Sequence, residues 1–227
     1  MASGRLEEIA RGAEAVLFRT QWFKYEAIVK VRLPKPYRHA EYDKLFRYRR
    51  TLTEARVLAT LKRLGLNVPA VFYVDPDNSF IVLEYIRGSR LSDVVNEIDL
   101  ETLKKIAYSL GEQVCIMHKN GVYHGDLTIA NIIIHGNNTA YLVDFGLAGY
   151  SRDIEEYAID VHLLSRGLTA LSPDRHDVFM EKFREGYSRV CGEEFTNKVF
   201  ERMREIRLRG RYVEERLLRR VSLDRYM

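Results

Sequence analysis

Residues 124–146 leave this chain few ways to fold. His124-Gly125-Asp126-Leu127-Thr128-Ile129-Ala130-Asn131 runs into the apolar Ile132-Ile133-Ile134, turns at Gly136-Asn137-Asn138, returns through Ala140 to Val143 and ends on Asp144-Phe145-Gly146. Two short apolar runs joined by such a turn predict a tight hairpin. The hairpin brings Asp144 back beside the loop that carries Asp126 and Asn131, and Gly146 lets the chain turn sharply after it. Three polar side chains from one short segment are thereby expected to converge.

The surrounding pattern divides the chain in two. Leu6 to Ala10, Ala15 to Arg19 and Ala27 to Leu33 read as strands, the first two joined by Arg11-Gly12-Ala13-Glu14. After Pro34 and Pro36 the apolar residues from Leu45 to Leu64 fall mainly at three- and four-residue steps, predicting a helix that stops at Gly65. Ala70 to Val74 and Phe80 to Tyr85 read as two further strands about Asp75-Pro76-Asp77-Asn78. Beyond Gly88 the pattern is mostly helical, with Ser89 or Ser92 as the cap of a short helix and Asp99 as the cap of a long one reaching about Lys119. Helices separated by Ser172-Pro173-Asp174 and by the region of Gly192 complete the chain. The expected class is α+β and bilobal: a strand-rich lobe with one main helix (1–87), a reduced, mostly helical lobe (88–207) and a basic tail (208–227). Ligands are commonly held in a crevice of this kind.

Composition sets the remaining bounds. A chain of 227 residues, 46% hydrophobic and 30% charged, is ordinary for a soluble globular protein of one or two domains. Ser3 to Arg11 has no apolar core of signal-peptide length, and no apolar run approaches the roughly 20 residues of a membrane span. These features predict a cytoplasmic protein. Cys115 and Cys191, far apart in helical patterns, read as small buried hydrophobes rather than a bridge or a zinc site. The net charge of +4 is uneven: nine arginines and four acids between Arg202 and Met227 give that stretch +5 and the rest −1. Such a tail suits a polyanion or an acidic site, or else a solvated helix face.

Phosphoryl transfer from a nucleotide needs a carboxylate aimed at the acceptor hydroxyl and oxygen ligands that hold magnesium against the phosphates. Asp126 fits the first role. Asn131 and Asp144 fit the second, since magnesium takes one or two hard protein ligands and keeps its waters. A cation for the phosphates is expected from Lys30, mid-strand in Ala-Ile-Val-Lys-Val, with Glu54 on the following helix to hold it. Lys35 is a rival but stands between two prolines in a loop, and Glu54 has a plainer reading as a surface carboxylate near Arg50 or Lys62. Gly12 would let backbone approach the phosphates. Ile9, Val16 and Ile28 would roof the adenine, with backbone groups of Leu83-Glu84-Tyr85-Ile86 at its edge. The implied cofactors are ATP and Mg2+.

His-Gly-Asp with Asn131, Asp144-Phe145-Gly146, the strand lysine and the helix glutamate together resemble the protein-kinase superfamily. The finer resemblance is to RIO-like kinases and, among those, to the PRPK-type small kinase subunit of the KEOPS complex. It is carried by RGAEA at 11–15, VKVRLPKPYRHAEYD at 29–43, RRTLTEARVL at 49–58, HGDLTIANIII at 124–134 and LRGRY at 208–212, and it covers nearly the whole chain. The resemblance implies a serine/threonine kinase or ATPase supporting threonylcarbamoyl-adenosine formation on tRNA. The implied partners are the threonylcarbamoyl transferase subunit of KEOPS, its small accessory subunit and tRNA.

Three departures from an ordinary protein kinase stand out. Gly125 replaces the arginine that reads a phosphorylated activation loop, Thr128 stands where a lysine is usual, and no Ala-Pro-Glu segment precedes Asp160. Little remains to dock a peptide, so ATP turnover within a complex is the expected activity. A free-standing RIO-type kinase, a nucleotide-binding scaffold and a small-molecule kinase are the other readings.

Overall fold

The computed structural model describes residues 6–223, with side chains described as far as Arg209. Alternating apolar residues build a five-stranded antiparallel sheet from β1 (Glu7–Arg11), β2 (Ala15–Trp22), β3 (Tyr25–Arg32), β4 (Val71–Asp75) and β5 (Phe80–Glu84). Its order is β1-β2-β3-β5-β4, so β3 is central and Lys30 sits between Leu17 and Ile81. Helix α1 (Ala40–Arg63) buries Thr51, Glu54, Ala55, Leu58 and Leu61, a stripe at helical spacing. Leu58 and Leu61 join Ile81 and Leu83 in the main core, and full burial stabilises by about 1.5–3 kcal/mol for each such side chain. The helix ends as its sequence dictates. Gly65, at φ 83°, donates to Lys62 O and Leu66 donates to Leu61 O, both at 3.1 Å, which closes a Schellman cap.

The chain then crosses into the helical lobe through β6 (Ser89–Arg90) and α2 (Leu91–Val94). Neither expected serine caps α2: Ser89 pairs in β6 with Ile134, and Ser92 lies inside the helix, donating to Asp93. Asp99 does cap α3 (Leu100–Lys119), its carboxylate accepting from Thr102 N–H at 2.9 Å. After β7 (Val122–Tyr123) and a 3-10 turn (Ile129–Asn131), β8 (Ile132–His135) and β9 (Thr139–Leu142) form the expected hairpin. Gly136 and Asn138 both take positive φ in its turn. β10 (Gly149–Tyr150) returns to pair with β7, and α4 (Ile154–Leu171), α5 (Pro173–Cys191) and α6 (Glu193–Leu223) follow. α6 runs without a break through the position where the tail was expected to separate from the lobe. Of the Leu208-to-Tyr212 motif, the side chains of residues 210–212 lie outside the described ones, as do those of the rest of the basic tail.

The cysteine expectation needs correction. Cys115 and Cys191 form a disulfide with their Cα atoms 5.8 Å apart. The cause is a contact between α3 and α5 that spacing in sequence does not reveal. A Cβ on Gly111 would lie 2.0 Å from Phe183 O, and one on Gly186 would lie 1.9 Å from Tyr108 O. The two glycines let the helix backbones touch, and the cysteines stand roughly one turn further along each helix. No helix among the described residues is long and apolar enough to cross a membrane.

Candidate active site

Lys30 and Glu54 are drawn together by burial. Lys30 lies on the central strand and Glu54 on the buried stripe of α1, with side chains 7% and 1% exposed. Neither charge is tolerable there alone. Glu54 resolves this with both oxygens: Oε1 accepts from Lys30 Nζ at 2.7 Å and Oε2 from Arg32 Nη2 at 2.6 Å. Lys30 Nζ also donates to Asp144 Oδ1 at 2.7 Å. Burial works against the Lys30 charge, but Glu54 and Asp144 outweigh it and hold its pKa above the ordinary lysine value. Burial likewise opposes the Asp144 charge, and Lys30 outweighs it, so Asp144 stays below the usual carboxylate range. Lys30 and Asp144 are therefore both charged throughout the neutral range.

Asp144 itself has φ 63°, a conformation Asp and Asn adopt more readily than most residues. That geometry turns the chain from β9 so that the Asp144 side chain, 53% exposed, reaches Lys30. Opposite it, Asn131 Nδ2 donates to the Asp126 backbone oxygen and to Asp126 Oδ2, each at 2.9 Å. Both amide donors are thus engaged, and the remaining polar atom of Asn131 is its oxygen. The donor set available to a cation is one carboxylate and one amide oxygen, hard ligands that fit magnesium.

The loop between His124 and Asp126 is held from beneath by Asp160 on α4. Its two oxygens accept from His124 N–H at 2.6 Å and Gly125 N–H at 2.8 Å, and His118 Nε2 lies 3.2 Å from it. His118 Nδ1 is 2.8 Å from the Tyr187 hydroxyl, so α3, α4 and α5 all brace this loop. Gly125 has φ 78°, and a Cβ there would lie 2.4 Å from Leu147 O. An arginine cannot occupy this backbone, which is the physical reason for the departure read in the sequence.

His124 is wholly buried, and burial holds its pKa below the ordinary 6.5. Its Nδ1 lies 3.3 Å from Asp126 N–H and its Nε2 3.1 Å from Val143 O, the pattern of a neutral ring protonated on Nε2. The unfolded chain binds a proton here that the folded chain does not. This contribution to stability is therefore complete above about pH 6.5 and falls below it, by up to about 1.4 kcal/mol per pH unit. Melting curves between about pH 7.5 and 5 should show a flatter pH dependence for His124→Gln than for the wild type.

Between the lobes lies a cleft of about 270 Å3. Ile9, Leu17, Ile28 and Leu83 line one side, Ala130, Ile133 and Val143 the other, with Lys30, Glu54, Asn131 and Asp144 at the polar end and Glu84 to Ile86 at the connection. Three expected residues, Asp126, Val16 and Gly12, are not in this lining; Asp126 stands beside it, bonded to the lining residue Asn131. Val16 is one position out of phase: Leu17 pairs with Lys30 and shares its face, so Val16, paired with Val31, faces the other side of the sheet. Gly12 closes the β1–β2 turn by donating to Ala15 O at 2.9 Å and stands apart from the cleft wall. The connection is also narrower than expected as a source of hydrogen bonds. Glu84 N–H is taken by Ala70 O at 2.8 Å and Tyr85 N–H by Glu26 O at 3.1 Å. Among the described residues, Ile86 N–H has no protein acceptor. Lys35, the rival lysine, is half-buried and reaches Ala13 O, away from the cleft lining.

Sequence reading missed Arg32, Arg50 and Asp160. Arg32 carried a signal, being two residues from Lys30 on the same strand face. Asp160 carried none, since only the packing of α4 brings it beneath the loop.

A model of the protein kinase domain matches residues 6–162. The KEOPS complex subunit Bud32 of Pyrococcus abyssi is 39% identical over 212 residues, covering 91% of this chain and 96% of that protein. A probable bifunctional tRNA threonylcarbamoyladenosine biosynthesis protein of Methanococcus vannielii is 38% identical over 205 residues, and one of Methanocaldococcus jannaschii is 36% identical over 206. The match covers 36% and 37% of those two longer proteins and 90% and 91% of this chain. With its strand-rich and helical lobes around the charged cleft, the chain belongs to the protein kinase family, in the group that includes the KEOPS kinase subunit.

Proposed function

We propose that this chain is the ATP-dependent kinase subunit of a KEOPS-type assembly, a phosphotransferase and ATPase that supports threonylcarbamoyl-adenosine modification of tRNA. One observation carries the reading: Lys30 Nζ bonds Glu54 and Asp144 at once, each at 2.7 Å, at the polar end of an apolar interlobe cleft. The names of the relatives support the assembly and the tRNA process; the proposed partners are a transferase subunit, a small accessory subunit and tRNA. The cytoplasm is the proposed location.

In this mechanism the adenine lies between Ile9, Leu17 and Ile28 and Ile133 and Val143, with Ile86 N–H donating to its edge. Lys30 answers the phosphate charge, and Glu54 keeps Lys30 in place. Asn131 and Asp144 would hold magnesium, which would supply positive charge against the phosphate oxygens. Asp126, its Oδ2 fixed by Asn131, orients the attacking hydroxyl or water and accepts its proton. No peptide platform is needed for water to be the acceptor.

ATP turnover of the wild type and Asp126→Asn, each alone and with the transferase subunit and tRNA, tests this. The variant should lose about a hundredfold or more in kcat under every condition, and partners should stimulate only the wild type. Equal turnover in the two proteins would sink the proposal.

A further inference from the structure

The Lys30–Glu54 pair and the metal-ligand aspartate must both be in place for a kinase site to work, and many kinases arrange this by phosphorylating an activation loop. Here the loop before Asp126 cannot read a phosphate, because Gly125 stands where the cation would be and the Leu147 carbonyl fills the space of a Cβ. Some other device has to hold α1 against the Asp144–Gly146 turn.

Two arginines make the required contacts. Arg32, 5% exposed, occupies the second oxygen of Glu54 at 2.6 Å. Glu54 therefore stays anchored to β3 whether or not Lys30 is drawn toward a ligand. Arg50, one turn before Glu54 on α1, donates from Nη1 to Gly146 O at 3.1 Å. A Cβ placed on Gly146 would lie 3.0 Å from Lys30 Nζ and 3.6 Å from Arg32 Nη2, so all three cations gather on this one turn. Two opposite charges, Glu54 and Asp144, keep the cluster tied to β3, α1 and the turn at once. A guanidinium suits both positions because its planar donors can serve a carboxylate or a carbonyl without losing charge.

We propose that Arg32 and Arg50 are positioning residues that lock α1 onto the Asp144–Gly146 turn, so that the site stands assembled without modification of the chain. The inference rests on the reading of this cleft as an ATP-dependent phosphotransferase. Arg32 acts through Glu54, and Arg50 acts through the Gly146 carbonyl.

The test compares ATP turnover of the full chain with its transferase subunit across Arg50→Met, Arg50→Lys, Arg32→Met, Glu54→Gln and the Arg32→Met/Glu54→Gln double variant. Arg50→Met should lower kcat about tenfold with KM within about twofold, and Arg50→Lys should recover at least about half of the loss. Arg32→Met should raise KM for ATP about tenfold, and it should add little to Glu54→Gln because the two act as a unit. Phosphatase treatment of the wild type should leave its turnover unchanged. The proposal is overturned if Arg50→Met keeps kcat within about twofold, if the Arg32 and Glu54 losses multiply, or if phosphatase treatment lowers turnover about tenfold. If Arg32→Met does not fold, the part-buried Arg50 and the phosphatase arm decide. Asp126→Asn separates the two readings. Its inactivity beside unaffected arginine variants defeats the lock alone, whereas its full activity defeats the reading of the site and the lock with it.

Discussion

Asp144→Asn is expected to abolish ATP turnover, by roughly a thousandfold, in a protein that melts as the wild type does. The substitution isolates charge from shape. Asp144 occupies φ 63°, and Asn adopts that conformation as readily as Asp, so the backbone of the turn is kept. The side chain is 53% exposed, so an amide there has access to water. Lys30 retains Glu54 as its partner at 2.7 Å, which keeps the buried ammonium satisfied. What is lost is a carboxylate that Lys30 holds ionised across the neutral range, and with it the charged ligand proposed for magnesium. Nucleotide affinity measured without a divalent cation should stay within about threefold, since the apolar walls of the cleft are untouched. Steady-state turnover, nucleotide titration and thermal melting on one preparation check all three. Turnover within about threefold of wild type would instead favour a nucleotide-binding scaffold.

Reduction of the Cys115–Cys191 bridge is expected to cost about 4 kcal/mol of stability. The bridge spans 76 residues, and closing a loop of that length removes about this much free energy from the unfolded ensemble in the chain-entropy account. For a chain of this size the loss corresponds to a fall in melting temperature of roughly 10 °C. The location adds to the effect, because the bridge ties α3 to α5 beside the glycine contact and the His118–Tyr187 hydrogen bond. Melting with and without reductant, in the wild type and in Cys191→Ser, measures it. The variant should melt near the reduced wild type and ignore the reductant. A wild type equally insensitive to reductant would show that the thiols are not bridged in solution.

What could be read from the residues divides by distance along the chain. The β8–β9 hairpin, the Gly65 stop and the Asp99 cap depend on neighbours within a few residues, and each stands where local chemistry placed it. Lys30 and Glu54 were legible because a charge on an apolar strand or stripe needs a partner. Val16 was misplaced because strand periodicity gives two faces without saying which one looks into the cleft, and one residue decides it. Arg50 was hidden among 36 lysines and arginines, where type does not distinguish it, and Arg32 was marked only by sharing the strand face of Lys30. The disulfide and Asp160 depend on how whole helices dock. No pattern within a single helix carries that information.

The packing of Phe145 bears on inhibitor chemistry. Its ring is 1% exposed and 4.5 Å from the His124 ring, while Gly146 is bound by Arg50 and Gly125 lies against Leu147. A compound that extends into the space vacated by an outward-swung phenylalanine would have to unmake all of these contacts together. The accessible pharmacology is confined to the front of the cleft, among molecules that would compete with the proposed nucleotide for Leu17, Ile133 and Ile86.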